Sequence, residues 1–167
     1  MKPSGADAKL SDQPRVEPHD GGILDTKAPY YAKRPVPGVV VAVLDARAKA
    51  RRLELTVHPS RAILKGEVHE LLATDEAEAR RNAIVNRVSY LACVEITKSG
   101  MVLIHDRVVV KGRTLGHVIG FDETHAPNHA NIVIRIAGEF RTGRELGLEL
   151  EDEVSFEMEA GPVNIFD

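Results

Sequence analysis

The sequence predicts a mainly β protein of the α+β class: a compact six- to seven-stranded β-barrel with one or two helices and an extended N-terminal arm. Three observations carry this expectation. From Val36 onward, short β-branched runs alternate with turn residues at strand-like intervals. One window, residues 76–87, joins a helix start signal to an apolar stripe. Before Val36, Pro3, Pro14, Pro18, Pro29 and Pro35 interrupt every amphipathic period.

Residues 1–35 therefore form an N-terminal arm, flexible or draped on the surface, and residues 1 to about 27 contribute little stability because their composition cannot bury enough apolar area to offset ordering entropy. Tyr30 and Tyr31 are its exception, and docking on the chain's own body is expected for them. Residues 36–160 form the single barrel domain. Val39 to Leu44 make a buried strand, expected to pair as a hairpin with the alternating run Leu53, Leu55, Val57. Ser60 is placed to cap a helical turn that ends in Leu71-Leu72-Ala73. Asp75, with Glu78 three residues on, opens the helix over residues 76–87, with Ala79, Ala83 and Ile84 as its stripe. An antiparallel meander follows: residues 90–96, a turn at 98–100, residues 101–110, a Lys111-Gly112 turn, then residues 115–121. Ile132, Ile134 and Ile136 mark the next strand, and Val154, Phe156 and Met158 the last. The tail, residues 161–167, carries Ile165 and Phe166, which gain by being covered, so arm and tail are both candidates to mediate a homodimer.

Composition excludes several function classes. With 167 residues, 43% of them hydrophobic, the chain can fill one core. Its 25 acidic and 22 basic residues are interspersed, which gives no single-sign field for nucleic acid or anionic lipid. The one cysteine, Cys93, sits in an apolar run, forms no disulfide framework, and reads as a small buried hydrophobe in a reducing cytoplasm. No apolar run reaches the roughly 20 residues that span a bilayer, and no signal peptide opens the chain. A cytoplasmic protein with a small-molecule substrate is expected.

Chemistry concentrates between residues 120 and 131, where Asp122, Glu123, Thr124, His125, Asn128, His129 and Asn131 lie between two apolar runs. Loops carry function because a rigid scaffold aims their side chains without using them for the core. Pro127 prevents a regular helix, so only a particular loop path can bring His125 and His129 together. Three readings stay open. In the first, His125 and His129 hold a divalent metal, zinc or iron, with His105, His117 or Glu123 (or Asp122) completing the set and one position left for water or substrate. In the second, a histidine oriented by Asp122 or Glu123 moves a proton while Asn128 and Asn131 stabilise an oxyanion, with Thr124 in the ligand pocket. Either serves a lyase, isomerase, cyclase or hydrolase acting on a polar metabolite. In the third, Asp122, Thr124 and Asn128 merely satisfy a bulged turn, and the histidines face solvent. His58 and His69 read as isolated surface or helix-flanking residues.

Thr124-His125-Ala126-Pro127, the isoleucine-rich strand at 132–136 and the run Leu146-Gly147-Leu148-Glu149-Leu150-Glu151-Asp152-Glu153-Val154 resemble the C-terminal half of archaeal CTP-dependent riboflavin kinases. The resemblance covers about residues 115–158. It implies a small cradle-loop (RIFT-type) barrel and, as an alternative function, phosphoryl transfer to a flavin with CTP and magnesium. Two features of that family have no counterpart. The phosphate-cradling glycine turn would fall at residues 45–50, which contain no glycine, and the Pro-Gly-Thr-Leu-Asn magnesium element is absent. A related barrel that has acquired other chemistry is therefore the expectation, with a non-catalytic barrel that binds a ligand or partner as a further alternative, since fold does not fix function.

Overall fold

The computed structural model describes residue 22, residues 24–159 and residue 164. Expectations for residues 1–21 and for most of the 161–167 tail fall outside them. Among the described residues eleven strands follow one another: β1 (Val36–Ala48), β2 (Leu53–Glu54), β3 (Ser60–Ile63), β4 (Val68–Thr74), β5 (Ile84–Val85), β6 (Val88–Ile96), β7 (Gly100–Leu103), β8 (Arg107–Val110), β9 (Arg113–Asp122), β10 (Asn131–Ile136) and β11 (Glu153–Glu157). Seven of them close a barrel in the order β1-β11-β8-β9-β10-β4-β6, and β2 with β5 and β3 with β7 form two small accessory sheets. No helix among the described residues is long and apolar enough to cross a membrane.

Strand β1 closes the barrel because it is long enough to use both edges, pairing with β11 over Val36–Val39 and with β6 from Gly38 to Ala48. Register shifts between Val40 and Ala42 and between Val43 and Ala46 bend it. Gly38 permits the tight approach to β6, since a Cβ there would stand 2.7 Å from the Glu95 carbonyl oxygen. The expected hairpin between this run and residues 53–57 does not form. Leu53 and Leu55 are buried as their alternation requires, but Leu53–Glu54 pairs with Ile84–Val85 instead. Alternation reports which face is buried, not which strand lies alongside.

The two expected helices are also corrected. Ser60 accepts a hydrogen bond from the Tyr30 hydroxyl at 2.7 Å and starts β3, which pairs with β7, while Leu71, Leu72 and Ala73 belong to β4. Over residues 76–87 only tight turns form, at 77–78 and 81–82, and the positive φ of Asn82 turns the chain away from helix. Glu76 Oε1 accepts from the Asn86 and Arg87 amides at 3.0 and 2.6 Å, which ties the segment into a loop. Ala79 and Val85 are thereby buried, while Ile84 stays half-exposed. Burial in the assembled core outweighs local helix preference, a bias of a few tenths of a kcal/mol per residue. Residues 101–110 likewise split into β7 and β8 around His105, whose φ is +68°. The Lys111-Gly112 turn between β8 and β9 forms as expected, with positive φ at both residues.

Two apolar clusters explain why β4 and β10 are buried on both faces. Leu71, Ala73, Ile132 and Ile134 enter the larger cluster with Val36, Leu91, Phe121 and Phe156. Leu72 and Val133 point the other way, into a second cluster with Leu53, Leu55, Ala79, Val85 and Ile119. The segments 49–57 and 75–85, which flank β3 and β4, thus cover one outer face of the barrel. β4 and β10 are also the barrel's only parallel neighbours, in the register Glu70↔Asn131. Their N-terminal ends therefore lie side by side, which places the loop before β10 next to the first residues of β4.

Part of the arm is packed. Tyr30 lies against the larger cluster, Lys33 reaches the Phe156 carbonyl at 3.1 Å, and Arg34 donates to the Ser99 carbonyl, whereas Tyr31 is exposed.

Candidate metal centre

The loop from 122 to 131 is shaped by one carboxylate. Asp122, buried at the end of β9, accepts from the Glu54 amide at 3.1 Å, the Thr124 amide at 3.2 Å, the Thr124 hydroxyl at 2.9 Å and the Asn131 side-chain amide at 2.8 Å. Four donors converge on it, so Asp122 is a clamp that ties both loop ends to the accessory sheet. Asp122, Thr124 and Asn131, expected at the working site, are placed by the structure in this clamp, with the Asp122 oxygens turned to these four donors. Glu123 is drawn off by an ion pair with Arg61.

Within the clamp the chain makes tight turns. The Glu123 carbonyl accepts from Ala126 N at 3.0 Å, and the His125 carbonyl accepts from Asn128 N at 2.9 Å and His129 N at 3.4 Å. This path stacks the His125 and His129 rings, their centroids 4.8 Å apart and their planes at 25°. The Asn128 side-chain amide lies 3.2 Å from His129 Nδ1.

The third member comes from β4. Glu70 donates its amide to the Ala130 carbonyl at 3.1 Å, and its Oε2 stands 3.7 Å from His129 Nε2. One ligand atom each from Glu70, His125 and His129 falls within 4.8 Å of the others. Glu70 and His129 are about four-fifths buried, at 22% and 20% exposure, while His125 is exposed. His129 Nε2 itself is buried without a hydrogen-bond partner among the described residues. An orphaned ring nitrogen facing a carboxylate is the arrangement that a cation would satisfy.

Neighbouring groups hold this cluster. His69 is buried, not surface-facing as its sequence context predicts: its Nδ1 accepts from the Ala130 amide at 3.1 Å and its Nε2 meets Glu67 Oε2 at 3.3 Å. Burial pulls the His69 pKa below the ordinary histidine value, against the opposing pull of Glu67. Cys93 lies opposite Glu70 on β6 and shares with it a cavity of about 140 Å³, also lined by His69, Asn128 and His129. Burial, with the Glu70 charge in support, pushes the Cys93 thiol upward, so it stays protonated near neutrality. At His125, Arg51 Nη2 stands 3.3 Å from Nε2, and Arg51 Nε donates to the Tyr90 hydroxyl at 2.9 Å.

His105 and His117 do not join the cluster. They line a separate cavity of about 520 Å³ with Ile104, Ile119 and Arg135, and His117 pairs with Glu159 at 3.1 Å. His117 and Asp122 are on the same strand, five residues apart, which at ~3.3 Å per residue puts them roughly 16 Å from one another. Beside His125 and His129, where the sequence pointed to His105, His117 or Glu123, the structure places Glu70. Glu70, Tyr90 and Cys93 carry no sequence signal of their own, because the β4–β10 and β4–β6 pairings bring them in, and Arg51 arrives through its backbone bond to the Asn86 carbonyl and its side-chain bond to Tyr90.

No curated protein and no solved structure matches this chain. A family model matches residues 30–157, and the chain belongs to that family, the family of unknown function DUF6917.

Proposed function

We propose that Glu70, His125 and His129 hold a divalent transition metal, zinc or iron, and that the chain is a small-molecule enzyme using this centre for hydrolytic or proton-transfer chemistry. The observation that carries the reading is the convergence of two imidazoles and a carboxylate within 4.8 Å from two separate segments, with His129 Nε2 buried and unsatisfied. Two histidines and a carboxylate suit zinc or non-haem iron and leave positions open to water or substrate. A metal held there would act as a Lewis acid and lower the pKa of bound water to about 7. Asn128 can serve either state of His129, since rotating its amide presents Oδ1 to a protonated Nδ1 and so orients the ring toward the metal. The adjoining cavity is small, about 140 Å³, which fits a small polar substrate.

A second reading, metal-free proton transfer by His129 with Glu70 as its orienting carboxylate, draws on the same 3.7 Å approach. Flavin phosphorylation has less behind it: residues 45–48 remain within β1, and Asp45 is held by Thr142 and Arg144 at 2.8 and 3.0 Å.

Metal analysis of untagged protein, followed by zinc and anaerobic ferrous iron titration, tests the proposal. One equivalent is expected in the wild type and none in Glu70→Gln or His129→Ala. A wild type that binds neither metal, or variants that bind as well as the wild type, would overturn it and leave the metal-free reading.

A further inference from the structure

Arg51 makes a contact that cannot survive metal binding. A guanidinium only donates hydrogen bonds, so at 3.3 Å from Arg51 Nη2, His125 Nε2 must be the acceptor and the imidazole proton must sit on Nδ1. A metal taking the Nε2 lone pair displaces Arg51 directly. A metal taking Nδ1 moves the proton to Nε2, which then faces the guanidinium donor to donor. Either way Arg51 loses its acceptor on His125, while its Nε stays tethered to the Tyr90 hydroxyl at 2.9 Å and its backbone amide to the Asn86 carbonyl at 2.9 Å.

Loading also changes the charge. A dication and the Arg51 guanidinium directly face one carboxylate, Glu70, because Glu123 is paired with Arg61, Asp122 is turned to its four donors and Glu67 to His69 and the Leu64 amide. Two positive charges are left over in a partly enclosed site, where an anion is attracted more strongly than in bulk water. The planar fork of arginine matches a carboxylate in two parallel hydrogen bonds.

We infer that Arg51, tethered by Tyr90, is the substrate-recognising residue of this site, that the substrate is a small carboxylate, and that it binds the metal-loaded protein in preference to the metal-free one. The inference rests on the metal reading above. Metal and carboxylate are then coupled: the metal frees the guanidinium, and by linkage the carboxylate tightens the metal.

Calorimetry and visible absorption on the full chain, using cobalt(II) as metal and glycolate as probe with glycolamide as its neutral analogue, test this. Cobalt-loaded wild type should bind glycolate at least about tenfold more tightly than glycolamide, and metal-free wild type should bind neither. Arg51→Gln should keep cobalt and lose about tenfold or more in glycolate affinity. Tyr90→Phe, which keeps the ring but drops the hydroxyl, should weaken glycolate with cobalt retained, and it decides the matter if Arg51→Gln does not fold. Glycolate binding equal in metal-free and loaded protein, equal to glycolamide, or unaffected in both variants overturns the inference and leaves the metal site standing. Failure of the wild type to take up cobalt overturns both.

Discussion

Lys33 Nζ lies 2.9 Å from Asp106 Oδ2, with the two side chains 8% and 1% exposed. The pair joins the N-terminal segment to the bend between β7 and β8, where Asp106 also accepts from the Leu103 amide at 2.9 Å. Burial raises the Asp106 pKa, and the Leu103 amide and Lys33 oppose it.

Lys33→Met should therefore destabilise the fold by about 3–5 kcal/mol near neutral pH, since it strands a buried carboxylate. A folded-state pKa raised above the unfolded value gives a contribution that is full below the unfolded value, 3.8, and lost as pH rises through the folded one. Removing the ammonium raises the folded pKa further. The deficit of Lys33→Met relative to wild type should then shrink as pH is lowered from about 7 toward about 4.5. Urea midpoints at the two pH values measure it, and an equal deficit at both would contradict the assignment.

Asp122→Ala should cost roughly 3 kcal/mol or more, because four donors lose a common buried acceptor. A thermal midpoint within a degree or so of wild type would show that the loop does not depend on this clamp.

His125→Ala should shift stability by no more than about 0.5 kcal/mol, since the ring is exposed, and should still abolish metal uptake. Thermal denaturation run beside the metal titration separates the two effects. Global unfolding of this variant would mark the ring stack as structural.

Gly143 and Gly147 should respond differently to alanine. A Cβ at Gly143 would stand 1.8 Å from the Leu91 carbonyl oxygen, so Gly143→Ala must push the 142–150 segment off the barrel, at about 3 kcal/mol. Gly147 has open space but a φ of +72°, and alanine there should cost only about 1 kcal/mol of backbone strain. Denaturant midpoints of the pair test the ordering; similar values would argue that the 142–150 segment is not packed as described.

Incubation with riboflavin, magnesium and either CTP or ATP should yield no flavin mononucleotide above a no-enzyme control, because residues 45–48 continue a strand where a phosphate-binding turn would be needed. Product that depends on the protein would promote the phosphotransfer reading.

Local pattern was informative wherever one stretch of chain answers its own question. Alternation at 132–136 and 153–157 placed β10 and β11, the Lys111-Gly112 pair placed a hairpin turn, and the density of polar groups at 122–131 placed His125 and His129 in one loop. Their stacking follows from turns within that loop. The same reasoning failed at residues 76–87, where a helix start signal was overruled by burial of Ala79 and Val85 beside Leu53 and Ile119.

What the sequence by itself determined is the mainly β class, the buried faces of most strands and two of the three members of the candidate centre. Tertiary structure alone decided the partners. β1 pairs with β6 and β11, not with residues 53–57, and β4 lies parallel to β10. Glu70 reaches His129 from nearly sixty positions away through that parallel pairing, and Arg51 reaches His125 from across the loop. Periodicity records whether a side chain faces core or solvent. It carries no information about which distant strand supplies the neighbouring backbone, because closing the barrel and burying both faces of β4 and β10 are properties of the whole chain.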